Sequence, residues 1–334
     1  MRALILFALL LPSLVLAQAP QKQLPKLSIC VFDPLGANGP LFNTMKDYRT
    51  VAFEWGADVE PRAYTDEKIA VDDFKAGQCD AALVTGARAR PFNKFAATLG
   101  AIGAIPSEKM LRSLLGTISS KKAAKYMREG QYEVAGIMPA GPIYLFTRDR
   151  SIDTVEKLSG KRIATIDYDQ PSIFLVNHIG ASMVPSNSAN FSGKFNNGSV
   201  DVAYAPAVAY KPLELYKGLE GNGGILRFPL AYMDFQIIIR ADKFPEGFGQ
   251  KSRTSVSGYF DRVNETVEQA TQEIDPKFWM DLSDEIKLEY NEMLRDVRIK
   301  LRDQGIYNGK MLKLMRKLRC KANPAAAECT EKLE

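Results

Sequence analysis

Residues 141–206 constrain the fold more than any other part of the chain. The stretch opens G-P-I-Y-L-F-T-R-D-R-S-I-D-T-V-E-K-L-S-G-K-R-I-A-T-I-D-Y and later reads N-N-G-S-V-D-V-A-Y-A-P-A. The first part reads as a strand, a polar turn, a short helical turn stopped at Gly160, and a β-branched strand from Arg162. The second reads as a helix end at Gly198 running into a strand over 200–204. Two short βα units of this kind feed one sheet, and the second strand of each must pack beside the first.

The same alternation fills the N-terminal part. Residues 27–32 form an apolar run. Asn38-Gly39-Pro40 then opens a helix with apolar residues at Leu41, Met45, Tyr48, Ala52 and Trp55. A strand over 59–64 follows, then a helix from Thr65-Asp66-Glu67 to Ala76-Gly77, and a strand over 81–85. Alternation like this implies a parallel sheet with right-handed crossovers. Ser107 is expected to cap a long helix reaching Met127, with Lys and Arg gathered in its last turns. Strands are expected over 132–138, 143–147, 163–167 and 182–184, with a helix over 173–179. Strands over 225–228 and 235–240 carry the chain back to the first part. Three helices, over 252–274, 283–304 and 308–319, complete the chain. This predicts a discontinuous first lobe (26–140 with 236–334) and an inserted second lobe (141–235). In open α/β sheets ligands bind beyond the carboxyl ends of the strands, and two lobes set two such edges across a cleft.

With 334 residues, 46% of them hydrophobic, the chain can bury one or two cores. Met1-Arg2, an apolar run over 3–16 and Ala17-Gln18-Ala19-Pro20 describe a secretory leader, expected to be cut after Ala17. No second stretch is long and apolar enough to span a bilayer. Loss of residues 1–17 leaves 43 basic and 39 acidic residues, interspersed, which gives no reason to expect nucleic acid binding. The four cysteines, Cys30, Cys79, Cys320 and Cys329, would then sit in an oxidising compartment, where three pairings are open. Cys30 lies in the first strand and Cys79 opens one expected beside it, while Cys320 and Cys329 bracket a tail loop. The expected bridges are therefore Cys30–Cys79 and Cys320–Cys329. With no C-x-x-C and a single histidine, His178, no metal site is expected.

The segments Ser151-Ile152-Asp153-Thr154-Val155-Glu156-Lys157-Leu158-Ser159-Gly160-Lys161, Gly180-Ala181-Ser182-Met183-Val184 and Gly198-Ser199-Val200-Asp201 resemble those of TRAP-transporter solute-binding subunits, the DctP-like family. A closer resemblance runs over nearly the whole chain, to the AdeT-like solute-binding family. It is carried by I-C-V-F-D-P, W-G-A-D-V-E, F-K-A-G-Q-C-D-A, K-A-A-K-Y-M, Y-E-V-A-G-I, F-N-N-G-S-V-D, A-P-A-V-A-Y-K-P-L-E-L-Y-K-G-L and F-G-Q-K-S-R. The resemblance implies an α/β, two-lobed, periplasmic-binding-protein-like (type II) fold with a helical C-terminal third. It implies a periplasmic protein that captures a small-molecule solute for a membrane permease. Some AdeT-like proteins are labelled as RND-type efflux components, so the alternative is an envelope adaptor of an efflux or assembly complex that binds protein. TRAP subunits commonly clamp a substrate carboxylate with an arginine on the strand after the K-L-x-G-K turn, and counting along this chain places Ala164 there. The other frequent arginine position falls near Ile143 or Tyr144. Neither residue replaces a bidentate guanidinium.

The residues expected at the cleft follow from the strand ends. Asp33 ends the first strand, with helix capping as its other reading; Arg88 and Arg90 follow the strand over 81–85. Asp167, Tyr168 and Asp169 follow the strand over 163–167, where Asp169 could equally cap the next helix. Two carboxylates beside a tyrosine suit a cationic or polyhydroxylated solute. Tyr144 and Tyr204 are candidate walls, with core packing as the alternative. The nucleophile elbow, the P-loop and the dinucleotide fingerprint are all missing, so neither catalysis nor a cofactor is expected. The helix 310–321 carries six basic and no acidic residues. Its apolar stripe, Met311, Leu314, Met315 and Leu318, is expected on the body, with membrane or partner docking as the alternative.

Overall fold

A computed structural model describes residues 24–334; the leader expected over 1–17 lies outside them. Eleven strands form one sheet: β1 (Lys26–Phe32), β2 (Asp58–Tyr64), β3 (Ala81–Thr85), β4 (Arg128–Glu129), β5 (Tyr132–Thr147), β6 (Arg162–Ile166), β7 (Ser182–Ser186), β8 (Val202–Pro206), β9 (Gly224–Leu226), β10 (Ala231–Arg240) and β11 (Trp279–Met280). The main path runs β2-β1-β3-β10-β5-β8-β6-β7. β1 is parallel to β2 and β3, and β6 is parallel to β7 and β8, so each end of the path is a parallel unit. The antiparallel pair β5 and β10 joins them.

β1 and β3 are buried almost throughout because helices cover both faces of a parallel sheet, which explains their unbroken apolar runs. β2 is the edge, and there Glu60, Pro61 and Arg62 blunt further pairing.

β5 corrects the sequence reading. Two strands were expected, over 132–138 and 143–147, because Pro139, Gly141 and Pro142 look like breakers. Instead one strand of 16 residues passes through both halves of the molecule, a length of about 50 Å. The irregularity is absorbed locally: the register with β10 shifts between Met233 and Asp234, and Gly141 takes φ +92°. A Cβ at Gly141 would stand 2.6 Å from Val267 Cγ1 on the overlying helix, so only glycine fits.

Helix starts follow their capping residues. Asp66, Ser107, Ser283 and Asn308 each accept from backbone N–H groups of the next turn. The helix from Ser107 nevertheless ends at Ile118, not Met127, and Lys121–Tyr126 continues as a 3-10 segment. Ser120 Oγ donates to Thr117 O at 2.7 Å, and hydroxyls that take backbone carbonyls compete with the helix. The basic residues expected in its last turns lie beyond it. The helix expected over 252–274 is two, Phe248–Ser257 and Phe260–Gln272, parted at Gly258.

Both expected disulfides are present. Cys30–Cys79 has Cα atoms 5.8 Å apart and closes 49 residues; Cys320–Cys329 has 5.6 Å and closes nine. The basic C-terminal helix, Gly309–Ala322, buries Met311, Leu312 and Met315 and leaves Lys310, Lys313 and Lys317 exposed, so its stripe packs on the body. Among the described residues no helix is long and apolar enough to cross a membrane.

Candidate functional site

A cavity of about 440 Å³ lies between the two parallel units, where their strand ends face each other. Its walls are mostly apolar: Ile143 and Leu145 from β5, Ile163 and Ile166 from β6, and Leu175 and Met293 from two helices. The polar groups facing it are few, which suits orienting a ligand within an apolar envelope.

At one edge the halves touch through a buried cluster. Glu67, in the first turn of the helix Glu67–Lys75, is 1% exposed. Its Oε1 accepts from the Thr85 amide at 2.7 Å, and its Oε2 accepts from the Tyr168 hydroxyl at 2.5 Å, across the cleft. The Arg88 guanidinium lies over the Tyr168 ring, with Nε 3.9 Å from Glu67 Oε2. Burial pushes the Glu67 carboxyl up, against the pull of its hydrogen bonds from Tyr168 and Thr85 and of Arg88. Burial and the facing carboxylate raise the Tyr168 phenol far above its usual range, so it stays a donor. Arg88 does not line the cavity; it completes this contact between the halves.

A second group does line the cavity. Arg90 Nη2 stands 3.6 Å from Asp169 Oδ1, Arg90 Nη1 reaches Ile306 O at 3.5 Å, and the guanidinium sits near the Tyr307 ring. Asp169 occupies the N-cap position of the helix Gln170–His178 but bonds no amide there. Its carboxylate turns to Ser172 Oγ and Arg90 instead. Tyr204 also lines the cavity, with its hydroxyl accepting from the Ile166 amide at 3.0 Å.

Asp234, which sequence reasoning missed, is the most unusual member. It is 4% exposed and lines the cavity from β10. Its one hydrogen bond among the described residues comes from Gln236 Nε2 at 2.9 Å. Burial pushes its carboxyl up to about 7, opposed by the Gln236 hydrogen bond and by Arg90. A Cβ on Gly86 would meet both Asp234 oxygens at 2.7 Å, so glycine there makes room for the carboxylate.

Three further expected site residues present no free group to this cavity. Asp33 borders the cavity, but its carboxylate accepts from the amides of Leu35, Leu41 and Phe42 at 2.8–3.1 Å, which makes it a helix and turn cap. Tyr144 points to the opposite face from its neighbours Ile143 and Leu145. It packs edge-on against Trp279, its ring centroid 5.0 Å away, beside a separate cavity of about 320 Å³ under the helix Phe260–Gln272. Asp167 is exposed and outside the cavity lining. Ala164, where the resemblance placed a clamp arginine, is buried in a core with Phe146 and Phe195, away from the cavity. The positions of β5 and β6 that do reach the cavity hold aliphatic residues, so these strands offer no guanidinium.

The family model described as solute-binding protein AdeT 1/2 matches residues 50–334. "Probable solute-binding protein AdeT1" of Acinetobacter baumannii is 44% identical over 299 residues, covering 90% of this chain and 98% of that protein. "Probable solute-binding protein AdeT2" of the same organism is 28% identical over 228 residues, 68% of this chain and 96% of that one. Among solved structures, the fold is similar to a TRAP periplasmic solute-binding protein from Desulfovibrio salexigens with bound orotic acid. There the TM-score is 0.72 at 14% identity, with 89% of this chain and 99% of that chain covered. It is similar also to one from Chromohalobacter salexigens with bound D-glucuronate, with a TM-score of 0.71 at 12% identity and coverage of 88% and 99%.

Proposed function

The chain belongs to the AdeT 1/2 family of solute-binding proteins, and from that premise we propose that it captures a small molecule in the cavity between its halves and delivers it to a membrane transporter. The observation that carries this reading is the cavity itself. It is largely apolar, walled by both halves, and bordered by the Tyr168–Glu67 hydrogen bond that links them. A contact of that kind favours the closed arrangement, and a solute touching both walls shifts the population further toward it.

In this reading the lobes are 26–140 with 236–334 and the insert 141–235, and the mature chain acts in the periplasm after loss of its leader. Arg90, Asp169, Tyr204 and Asp234 face the solute, while Arg88 and Tyr168 hold the lobes together. A membrane permease recognises the closed form, and the chain catalyses no reaction.

Thermal-shift screening of the mature protein against organic acids, amines and sugars tests the reading. Saturable stabilisation growing as RT ln(1 + [L]/Kd) is the expected result. A flat response across the library, together with a stable protein complex in envelope pull-downs, would overturn it in favour of a protein-binding adaptor.

A further inference from the structure

The acidic and basic groups bordering the cavity are four carboxyls, Asp33, Glu67, Asp169 and Asp234, against one guanidinium, Arg90. Three of the carboxylates already have partners. Asp33 accepts from three amides, Glu67 faces Arg88 and Tyr168, and Asp169 faces Arg90 and Ser172. Asp234 is left with a single amide donor from Gln236. A carboxylate this deeply buried is costly unless a cation or further donors meet it.

A second polar group points the same way. Tyr290 also borders the cavity and is fully buried, yet its hydroxyl has no hydrogen-bond partner among the described residues. Buried hydroxyls are almost always partnered, and this one is left free in the wall of the cavity. The rest of the lining is aliphatic and aromatic, including Phe191, Leu175, Met233 and Phe235.

We propose that the solute is an amphipathic amine, with its ammonium head against Asp234 and its apolar body along the walls of β5, β6 and the covering helices. This rests on the reading of the cavity as a solute site and names the class that site takes. The ammonium supplies the positive charge that Asp234 lacks. Arg90 does not compete with it, because Asp169 balances its charge. A carboxylate solute of the same shape would bring a further acidic group to a lining that holds four carboxyls and one cation, and like charges without a partner disfavour it.

The probes are three matched molecules, 4-phenylbutylamine, 4-phenylbutyrate and 4-phenyl-1-butanol, titrated calorimetrically into the mature protein at slightly alkaline pH. The amine is expected to bind tightest. In Asp234→Asn its affinity should fall about thirtyfold, while that of the alcohol stays nearly unchanged. Tighter binding of the butyrate than of the amine in the wild-type protein would overturn the proposal without recourse to any variant. So would equal losses of amine and alcohol in Asp234→Asn. If other library compounds stabilise the protein and the amine does not, the proposal falls while the solute-binding reading stands. If nothing stabilises it, both fall.

Discussion

The Tyr168 hydroxyl donates to Glu67 Oε2 across the cleft, joining residues 101 positions apart in sequence and on opposite sides of the cavity. Arg88 adds a second link across the cleft, its guanidinium lying over the Tyr168 ring. Thr85 and Arg88, which also address Glu67, lie on its own side. The bond therefore exists only when the halves are together, and its free energy bears directly on the balance between open and closed forms.

Tyr168→Phe removes the bond and keeps the ring under Arg88. A hydrogen bond to an ionised group is worth about 1.5–3 kcal/mol, so the unliganded protein should shift toward the open form. Small-angle scattering should show a larger radius of gyration for the variant than for the wild type, with the secondary structure unchanged. Identical scattering curves would show that this contact does not govern closure.

Asp234 makes stability depend on pH in an uncommon direction. Its carboxyl is raised from 3.8 to about 7 in the folded chain, so between those values the native state holds a proton that the unfolded chain has released. Stability then falls as pH rises through that window, by an amount on the order of 4 kcal/mol in full. Asp234→Asn removes the dependence. Urea unfolding should find the variant more stable than the wild type above pH 7, with the gap closing toward pH 4. A gap that stays constant with pH would rule out Asp234 as its source.

Much of this architecture was legible in the sequence, for physical reasons that also mark the limits. β3 was placed to the residue because a central parallel strand must be apolar on both faces. Ser283 and Asn308 announced their helices because short polar side chains satisfy the first free amides. The continuity of β5 was hidden because Pro139, Gly141 and Pro142 are local breakers, and only the shifted register with β10 accommodates them. Glu67 looked like an ordinary acid in a helical first turn, and nothing in its neighbourhood reveals a partner at Tyr168. Asp234 was missed for a similar reason. A single acid beside an apolar run carries no motif, although its position just before the strand expected over 235–240 was the one available signal. Ala164 was assigned to the cleft by counting, which cannot tell which face of β6 a residue occupies.

The two disulfides should differ in weight. In the chain-entropy account Cys30–Cys79 contributes about 4 kcal/mol and the short Cys320–Cys329 loop nearer 2.6. Paired Cys→Ala variants compared by urea unfolding should therefore lose more stability at the first site. A larger loss at the second would mean that the tail bridge holds more than its own loop.

The tail also bears on the cavity. Glu334 is 7% exposed; its Oε1 accepts from Arg298 Nε at 2.8 Å and its Oε2 from Arg319 Nη2 at 2.5 Å. Those arginines in turn donate to the carbonyls of Ile102 and Ala104, and Ile102 borders the cavity. Burial pushes the Glu334 carboxyl up, but the two guanidiniums together outweigh it and hold the carboxyl below its usual value. Its contribution is therefore present above the unfolded value and is lost as pH falls through the lower native one. Removing one member of a buried ion pair costs about 3–5 kcal/mol, because the other is left unpaired. Glu334→Gln should approach the lower end of that range, since the amide oxygen still accepts one bond. The exposed pair of Arg295 with Glu331 gives the comparison: Glu331→Gln should cost less than about 1 kcal/mol. If denaturant unfolding finds the two variants alike, the tail carboxylate does not brace the 102–104 segment. If Glu334→Gln loses stability and also weakens solute binding while Glu331→Gln does neither, the tail helps to hold the cavity wall in place.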